Sequence, residues 1–283
     1  MLIHPVTARQ LNALVSSKPQ AILISGSAGS GKQTIAKKLS SDVLGRTLGE
    51  NDPYFLNIFP EKSSIGIESI RNIRSYLSRK STGKAVIRRI ILISDAHTMT
   101  TEAQNALLKT LEEPPTDTMV ILTTDDLTAL KLTIRSRSHQ LQVLPIDEIS
   151  ALEYFKLKGS EHAIRTAYYM SDGRIGLLSS LLEQASGHEL VVAINDAKSL
   201  IQMSSYEKLL RVEALSKQKD QATLLLSGLE RVVQSGLRQA ANKNDETAVK
   251  KFYHLSKLVY SAQDLFSKSV NAKIVLTDLF INM

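Results

Sequence analysis

The sequence contains no cysteine and no tryptophan, and only 5% of its 283 residues are aromatic. The absence of cysteine excludes a disulfide framework, a thiolate zinc site and a cysteine nucleophile. With so few aromatic side chains we do not expect the base-stacking platforms of single-strand binding proteins, so any nucleic-acid contact would be made mainly to phosphates. Nothing in the composition points to an oxidising compartment, which favours the cytoplasm.

Long apolar runs are missing as well. No stretch approaches the roughly 18 consecutive apolar residues that a membrane-spanning helix needs. The first five residues, MLIHP, lack the basic region and the apolar run of a secretory signal. We therefore expect a soluble, untargeted cytoplasmic protein with no membrane partner.

The overall composition is that of a folded protein with two or three domains, because 43% of the residues are hydrophobic and 22% are charged. Lys and Arg outnumber Asp and Glu by 35 to 28, which gives a net charge of +7. This balance favours a polyanionic partner, although many proteins without such a partner share it.

Five short apolar runs alternate with helix-like segments in the first half of the chain. They cover residues 21–25, 54–59, 89–94, 118–123 and 139–144. Strands that alternate with helices form a parallel sheet covered on both faces. The unbroken apolar run at 90–93 is typical of a central strand. The pattern predicts an α/β domain with a five-stranded parallel sheet and helices on both faces.

Helices are predicted from apolar spacing and from their end signals. Apolar residues recur at helical spacing over 103–111, behind a capping-box pattern at Thr101 and Gln104, and Pro114-Pro115 ends this helix. From Asp147, a plausible N-cap, no strand pattern returns and the chain reads as all-helical.

The change of pattern predicts three domains. A domain with the sheet covers residues 1–145, and a small helical domain covers 146–186. A helical bundle covers 187–283. The turn signal Ser171-Asp172-Gly173 separates helices within the second of these domains.

The sharpest local motif follows the first apolar run and stands directly before a helical run. It consists of Gly26, Ser27, Ala28, Gly29, Ser30, Gly31 and Lys32. Glycines allow successive backbone N–H groups to surround phosphate oxygens, and the helix N-terminus adds a favourable field. The motif predicts a phosphate-binding loop for ATP or ADP, with Lys32 at the terminal phosphates. A plain Gly/Ser turn is the alternative, which the strand–loop–helix context disfavours.

The motif departs from its usual form directly after the lysine. P-loop proteins carry a Ser or Thr there that coordinates Mg²⁺, whereas this chain has Gln33 and then Thr34. One step along a helix rotates a side chain by about 100°, so Thr34 does not simply replace the missing hydroxyl. Both residues are candidate nucleotide contacts, and magnesium is expected only if nucleotide binds.

In P-loop ATPases, a buried strand, the Walker-B strand, ends in an acidic residue that organises magnesium. Asp95 follows the buried strand at 90–93 and is the candidate for this residue. ATPases of this type usually carry a Glu at the next position that polarises the attacking water, but this chain has Ala96 and then His97. Alanine does no proton chemistry, and a lone histidine after a strand is more often a structural hydrogen bonder. We therefore expect nucleotide binding at most, with negligible hydrolysis by this chain's own site.

Two longer motifs carry a resemblance to a known family. Residues 99–115, MTTEAQNALLKTLEEPP, resemble the signature helix of bacterial clamp-loader subunits of the AAA+ superfamily. Residues 133–138, TIRSRS, resemble the family's Ser-Arg-Cys motif, with Ser138 in place of the cysteine. The resemblance implies that Arg137 is an arginine finger for the ATP site of a neighbouring subunit, a role that a planar and permanently charged guanidinium suits. Taken alone, Arg137 would be an ordinary solvated arginine.

Weaker matches extend the resemblance from about residue 20 to the end of the chain. They imply that the pair Thr123-Thr124 holds the family's sensor 1 position, with Thr124 as the candidate. Arg174, in the segment SDGR, would carry the sensor 2 role. The implied architecture is an AAA+ P-loop domain, a small helical lid and an all-α collar that mediates oligomerisation. The four-cysteine zinc module of many family members cannot exist in this chain.

Within the family, the departures are typical of one class of subunit. Eroded Walker motifs beside an intact Ser-Arg motif resemble delta-prime subunits, whereas gamma/tau subunits keep the hydrolysing residues and delta subunits generally lack both motifs. The resemblance then implies a hetero-oligomer with gamma/tau and delta subunits, which loads the sliding clamp onto primed DNA. A gamma/tau-like motor subunit and a stand-alone P-loop NTPase are the alternatives, and Gln33 and Ala96 disfavour both.

Basic residues cluster between positions 71 and 89. They are Arg71, Arg74, Arg79, Lys80, Lys84, Arg88 and Arg89. One interpretation is a solvated helix face and loop. The other is that some of them contact DNA phosphates without reading sequence, as clamp loaders do.

Overall fold

Five strands form one parallel sheet in the computed structural model, which describes residues 1–49, 52–78, 85–184 and 188–283. The strands are β1 (Ala21–Ser25), β2 (Phe55–Ile58), β3 (Arg89–Ile93), β4 (Thr118–Thr124) and β5 (His139–Gln142). Their order across the sheet is β2-β3-β4-β1-β5, and every neighbouring pair is parallel. The predicted five-stranded parallel sheet is confirmed.

Helices cover both faces of this sheet, as predicted. They are α1 (Pro5–Ser17), α2 (Lys32–Leu44), α3 (Ile67–Leu77), α4 (Thr101–Glu112) and α5 (Leu132–Ser136). Successive strand residues point to opposite faces, and the buried side chains divide accordingly into two clusters. Leu23 and Ile91 pack with α3, α4 and α5, whereas Ile22 and Ile90 pack with α1 and α2.

The start of α4 differs from the sequence pattern. Its N-cap is Thr100, whose hydroxyl accepts a hydrogen bond from the backbone N–H of Ala103 at 3.2 Å. The predicted capping box of Thr101 and Gln104 is therefore wrong, because two consecutive threonines offer the same start signal and the structure uses the first. The helix ends at Glu112, before the two prolines, as predicted.

The second half of the chain is helical throughout its described residues, as predicted. Its helices are α6 (Glu148–Phe155), α7 (Glu161–Ser171), α8 (Ile175–Leu182), α9 (Glu189–Gln202), α10 (Ser205–Lys217), α11 (Lys219–Asn242), α12 (Glu246–Ser267) and α13 (Ala272–Asn282). Asp147 caps α6, since its Oδ1 accepts a hydrogen bond from the backbone N–H of Ser150 at 2.8 Å. None of the helices in the described part of the chain is both long and apolar enough to cross a membrane.

The chain divides into two compact units, Met1–Pro145 and Ile146–Met283. Within the second unit, a large apolar cluster lies among α9 to α13 and includes Phe266 and Phe280. A smaller cluster joins Met170 and Leu177 to Ile194. The predicted boundary between residues 186 and 187 lies outside the described residues, so the division into three domains stays a prediction.

Candidate nucleotide-binding site and arginine finger

The glycine-rich loop connects β1 to α2 at the carboxyl edge of the sheet. Gly29 and Gly31 have φ angles of 81° and 87°, a backbone region that residues with a Cβ rarely adopt. A Cβ at Gly26 would lie 3.1 Å from Val143 Cβ and 3.2 Å from Val143 O. The loop therefore needs glycine both for its backbone conformation and for its close approach to the chain after β5.

Lys32 opens α2 and folds back over this loop. Its Nζ donates hydrogen bonds to Gly26 O at 2.7 Å and to Ser27 O at 3.2 Å, and the residue is only 6% exposed. Gly31, the N-cap of α2, provides no side-chain cap, so the first-turn N–H groups and the positive end of the helix dipole face the loop. Ser30 Oγ is buried and has no hydrogen-bond partner in the described part of the structure. These features fit the phosphate chain of ATP or ADP.

Asp95 follows β3 and contacts the residue that departs from the loop motif. Its backbone is left-handed, with φ 52° and ψ 50°. Its N–H donates to Thr123 Oγ1 at 3.0 Å, and its carboxylate Oδ2 accepts a hydrogen bond from Gln33 Nε2 at 3.4 Å. The structure thus brings together Asp95 and Gln33, which the sequence singled out separately and without predicting their contact.

The residues around Asp95 do not fit a magnesium ion. Mg²⁺ demands octahedral oxygen ligands at about 2.0–2.1 Å. Gln33 presents a hydrogen-bond donor to the carboxylate, and the Thr34 side chain is exposed on α2. Ala96 is fully buried and has no ligand atom in its side chain.

The two threonines that end β4 have different partners. Thr123 contacts Asp95, as described above. Thr124 donates its hydroxyl hydrogen to Asp126 O at 2.7 Å and accepts from Asp126 N at 3.1 Å. Its carbonyl accepts a hydrogen bond from Gly26 N at 3.1 Å, so Thr124 borders the loop through its backbone. Of the two hydroxyls, it is that of Thr123 that lies next to the candidate acidic residue.

His97 lies in the short 3₁₀ helix Ala96–Thr98 after β3. Its Nε2 is 3.0 Å from Asp125 Oδ1, in the loop that follows β4. This contact between two loops agrees with the structural role that the sequence favoured for a lone histidine.

Arg137 stands at the end of α5, which Ile134 anchors in the core because its side chain is fully buried. Arg137 Nη2 forms an ion pair with Glu112 Oε1 at 3.0 Å, and Nη1 donates to Thr133 O at 3.3 Å. The Arg137 side chain is 38% exposed. The guanidinium is therefore held in place on the surface of the first unit and is accessible to another molecule.

Gln104 was missed as a structural residue by the sequence reasoning. It is 5% exposed on the inner face of α4, and its Nε2 donates to Met99 O at 3.3 Å and Ala129 O at 3.0 Å. Its Oε1 accepts from Lys131 N at 2.9 Å. This one buried amide therefore ties α4 to the segment that leads into α5. The available signal was a glutamine within the apolar face of a helix.

Arg174 is the N-cap residue of α8 in the second unit. Its Nε donates to Ser171 O at 3.0 Å, and Arg231 of α11 donates from Nη1 to Met170 O at 3.1 Å. Burial lowers the pKa of Arg174, and burial together with the charge of Arg174 lowers the pKa of Arg231 to about 10. Both cations lie against the last turn of α7, whose carbonyl groups favour positive charge. No sequence motif pointed to Arg231.

The described basic residues between 71 and 89 do not form one surface. Arg89 Nη2 lies 2.7 Å from Asp117 Oδ1, and Arg88 Nη2 lies 3.3 Å from Oδ2 of the same carboxylate. Arg89 is 7% exposed, so it is a structural cation and not a DNA contact. Arg71 and Arg74 are exposed on α3. Outside the described residues lie Arg79, Lys80 and Lys84.

Comparison with known proteins points to one protein family. The model of the family described as "DNA polymerase III, delta subunit" matches residues 4–147, just over half of the chain. A DNA polymerase III gamma subunit from Buchnera aphidicola is 29% identical over 258 residues, which cover 81% of this chain and 70% of that protein. A DNA polymerase III delta-prime subunit from Escherichia coli is 31% identical over 136 residues, 46% of this chain and 40% of that protein. The chain thus spans less than half the length of this second relative.

One solved structure covers nearly the whole chain. A DNA polymerase III gamma subunit-related protein from Thermotoga maritima has a TM-score of 0.59 and 21% sequence identity, over 96% of this chain and 97% of that one. At this identity the likeness shows the fold alone, a parallel-sheet domain followed by helices. From the family match, the relatives and the fold together, the chain belongs to the bacterial DNA polymerase III clamp-loader family of the AAA+ superfamily.

Proposed function

We propose that this chain is a delta-prime-like subunit of the DNA polymerase III clamp loader, which supports ATP-driven loading of the sliding clamp onto primed DNA. The observation that carries the proposal is that the chain's own nucleotide site lacks the groups for hydrolysis, whereas a candidate catalytic arginine is exposed at its surface. The chain's own site has Gln33 against Asp95 and a buried alanine at position 96, while Arg137 is held at the surface by Glu112. Such a chain would assist ATP hydrolysis at the site of a neighbouring subunit and not at its own.

In this role Arg137 acts in trans. Its guanidinium enters the ATP site of a gamma/tau neighbour and stabilises the charge that develops on the transferred phosphoryl group. The helical second unit supplies the lid and the collar that hold the hetero-oligomer together, with gamma/tau and delta subunits as partners. The exposed Arg71 and Arg74 are the described members of the basic cluster that would meet DNA phosphates, without sequence preference.

The loop keeps a nucleotide-binding role in this proposal. Its glycines, the buried Lys32 and the uncapped start of α2 support binding of ATP or ADP. Arg174 belongs to the second unit, and its sensor 2 role is proposed from the resemblance alone.

A gamma/tau-like motor subunit is the second candidate. The gamma relative from Buchnera favours it, because its match covers 81% of this chain, against 46% for the delta-prime relative. A motor subunit would hydrolyse ATP with its own loop, and so would a stand-alone P-loop NTPase. Turnover by the isolated chain therefore separates both from the delta-prime proposal.

The purified chain is expected to hydrolyse ATP with a kcat far below about 1 s⁻¹, the lower end of the range typical of enzymes. The reason is that neither a metal-binding hydroxyl at position 33 nor a water-polarising carboxylate at position 96 is present. Gln33→Thr alone is expected to stay inactive, and turnover should require Ala96→Glu as well. Because Ala96 is buried, the double variant is first checked for a cooperative thermal melt. A wild-type kcat at or above about 1 s⁻¹ would favour the motor subunit instead.

Replacing Lys32 with alanine is expected to weaken ADP binding by about 10- to 100-fold, because the loop loses its buried ammonium group. Isothermal titration calorimetry measures this change. Lys38→Ala is the matched control, since Lys38 lies on the same helix, pairs with Asp42 and keeps 46% of its side chain exposed. Equal affinities for the Lys32→Ala variant and the wild type would show that the loop is not a phosphate site.

A further inference from the structure

We propose that Gln33 makes the glycine-rich loop a magnesium-independent nucleotide site, in which the glutamine amide takes the place of the metal beside Asp95. The inference rests on the proposed function to the extent that the loop holds nucleotide. It goes further by assigning a role to Gln33 and by naming the ligand as a nucleoside diphosphate or triphosphate that is not complexed with a metal ion.

The backbone of Asp95 is fixed independently of any ligand. Its N–H donates to Thr123 Oγ1 at 3.0 Å, and its carbonyl accepts from both N and Oγ1 of Thr98, at 2.9 and 2.8 Å. The left-handed conformation at Asp95 therefore has hydrogen bonds on both sides of the residue. The fold, and not a bound ion, sets where its carboxylate stands.

The position of Gln33 is fixed as well. It lies in the first turn of α2, which Ile35 and Ala36 hold in the core because they are 1% and 0% exposed. From there the amide Nε2 reaches Asp95 Oδ2 at 3.4 Å. Asp95 Oδ2, which would otherwise be free to bind a cation, thus faces a hydrogen-bond donor. The oxygen of the Gln33 amide lies on the other side of the same planar group and points away from the carboxylate.

The consequence for binding is electrostatic. A magnesium ion would bring two positive charges and would require an octahedral set of ligands. The Gln33 amide is neutral and has no such requirement. The attraction for phosphate then comes from Lys32 and from the N–H groups at the start of α2. Because no divalent ion offsets the charge of Asp95, ADP, which carries less negative charge than ATP, is expected to bind at least as tightly as ATP.

The test uses the full chain and ADP labelled with a fluorescent N-methylanthraniloyl group, titrated in excess MgCl₂ and in excess EDTA. The wild-type Kd is expected to differ by less than about threefold between the two conditions. In Gln33→Thr, which restores the hydroxyl of the usual motif, Mg²⁺ is expected to tighten binding by about tenfold or more. Lys38→Ala is the matched control, because this exposed side chain lies on the same helix, pairs with Asp42 outside the loop and should change neither Kd.

Either of two results overturns the inference. One is wild-type binding that weakens by more than about tenfold in EDTA, and the other is no binding in either condition. The increase in melting temperature caused by unlabelled ADP gives a second readout, expected to be equal in MgCl₂ and EDTA. Both failures leave the delta-prime proposal standing, because its test is the effect of Arg137 on the ATPase rate of the assembled complex.

Discussion

Replacing Arg137 with alanine is expected to lower the ATPase rate of the reconstituted clamp loader while this chain stays folded and assembled. An arginine supplied in trans is worth about 10³ to 10⁵ in kcat at the site that receives it. In the proposed assembly several sites hydrolyse ATP and only one of them would lose its finger, so the bulk rate is expected to fall less than the rate at that site. DNA- and clamp-stimulated hydrolysis and clamp loading, measured in the same samples, report the two effects together.

Two further variants identify the property of Arg137 that matters. Arg137→Lys keeps the charge but loses the planar fork of donors, so we expect it to restore little activity. Arg46→Ala is the control for an exposed arginine of the same unit that is also held by a carboxylate, Asp52 at 2.7 Å. Wild-type hydrolysis and loading by Arg137→Ala complexes would make Arg137 an ordinary surface residue of a scaffold subunit.

The largest effect on stability is expected from Gly228→Ala in α11. A Cβ at Gly228 would lie 2.4 Å from Ala193 O and 2.6 Å from Ala193 C, both in the backbone of α9. Alanine favours a helix over glycine by about 1 kcal/mol, but here the two helices would have to separate. Because overpacking of this kind costs about 1–3 kcal/mol or more, we expect a clear net loss in the free energy of unfolding, measured by chemical denaturation.

The same helix offers the matched control. At Gly236 a Cβ would meet the ring of Phe252, with its nearest atom at 2.4 Å, and this half-buried side chain can turn away where a backbone cannot. We therefore expect Gly236→Ala to cost less than Gly228→Ala. If Gly228→Ala is as stable as the wild type, the close approach of α9 and α11 is not a constraint on the fold.

The elements of this protein are determined by local sequence. The apolar runs at 21–25 and 89–94 are strands because their unbroken hydrophobicity suits a sheet buried on both faces. The loop is recognisable because glycine is the residue that most readily accepts the positive φ angles at positions 29 and 31. The all-helical second half follows from apolar spacing and from cap residues such as Asp147. Each of these signals lies within a few neighbouring residues.

The contacts that give the site its chemistry are decided by the tertiary structure. Gln33 and Asp95 are 62 positions apart, and they meet because β1 and β3 are parallel and only one strand apart, so the segments that follow them lie at the same edge of the sheet. The same order makes Thr123 the partner of Asp95. Gln104 binds the segment before α5 for a similar reason, since α4 and that segment lie on one face of the sheet. A local pattern carries the propensity of its own residues, whereas a pair distant in sequence interacts only after long-range strand pairing has placed it.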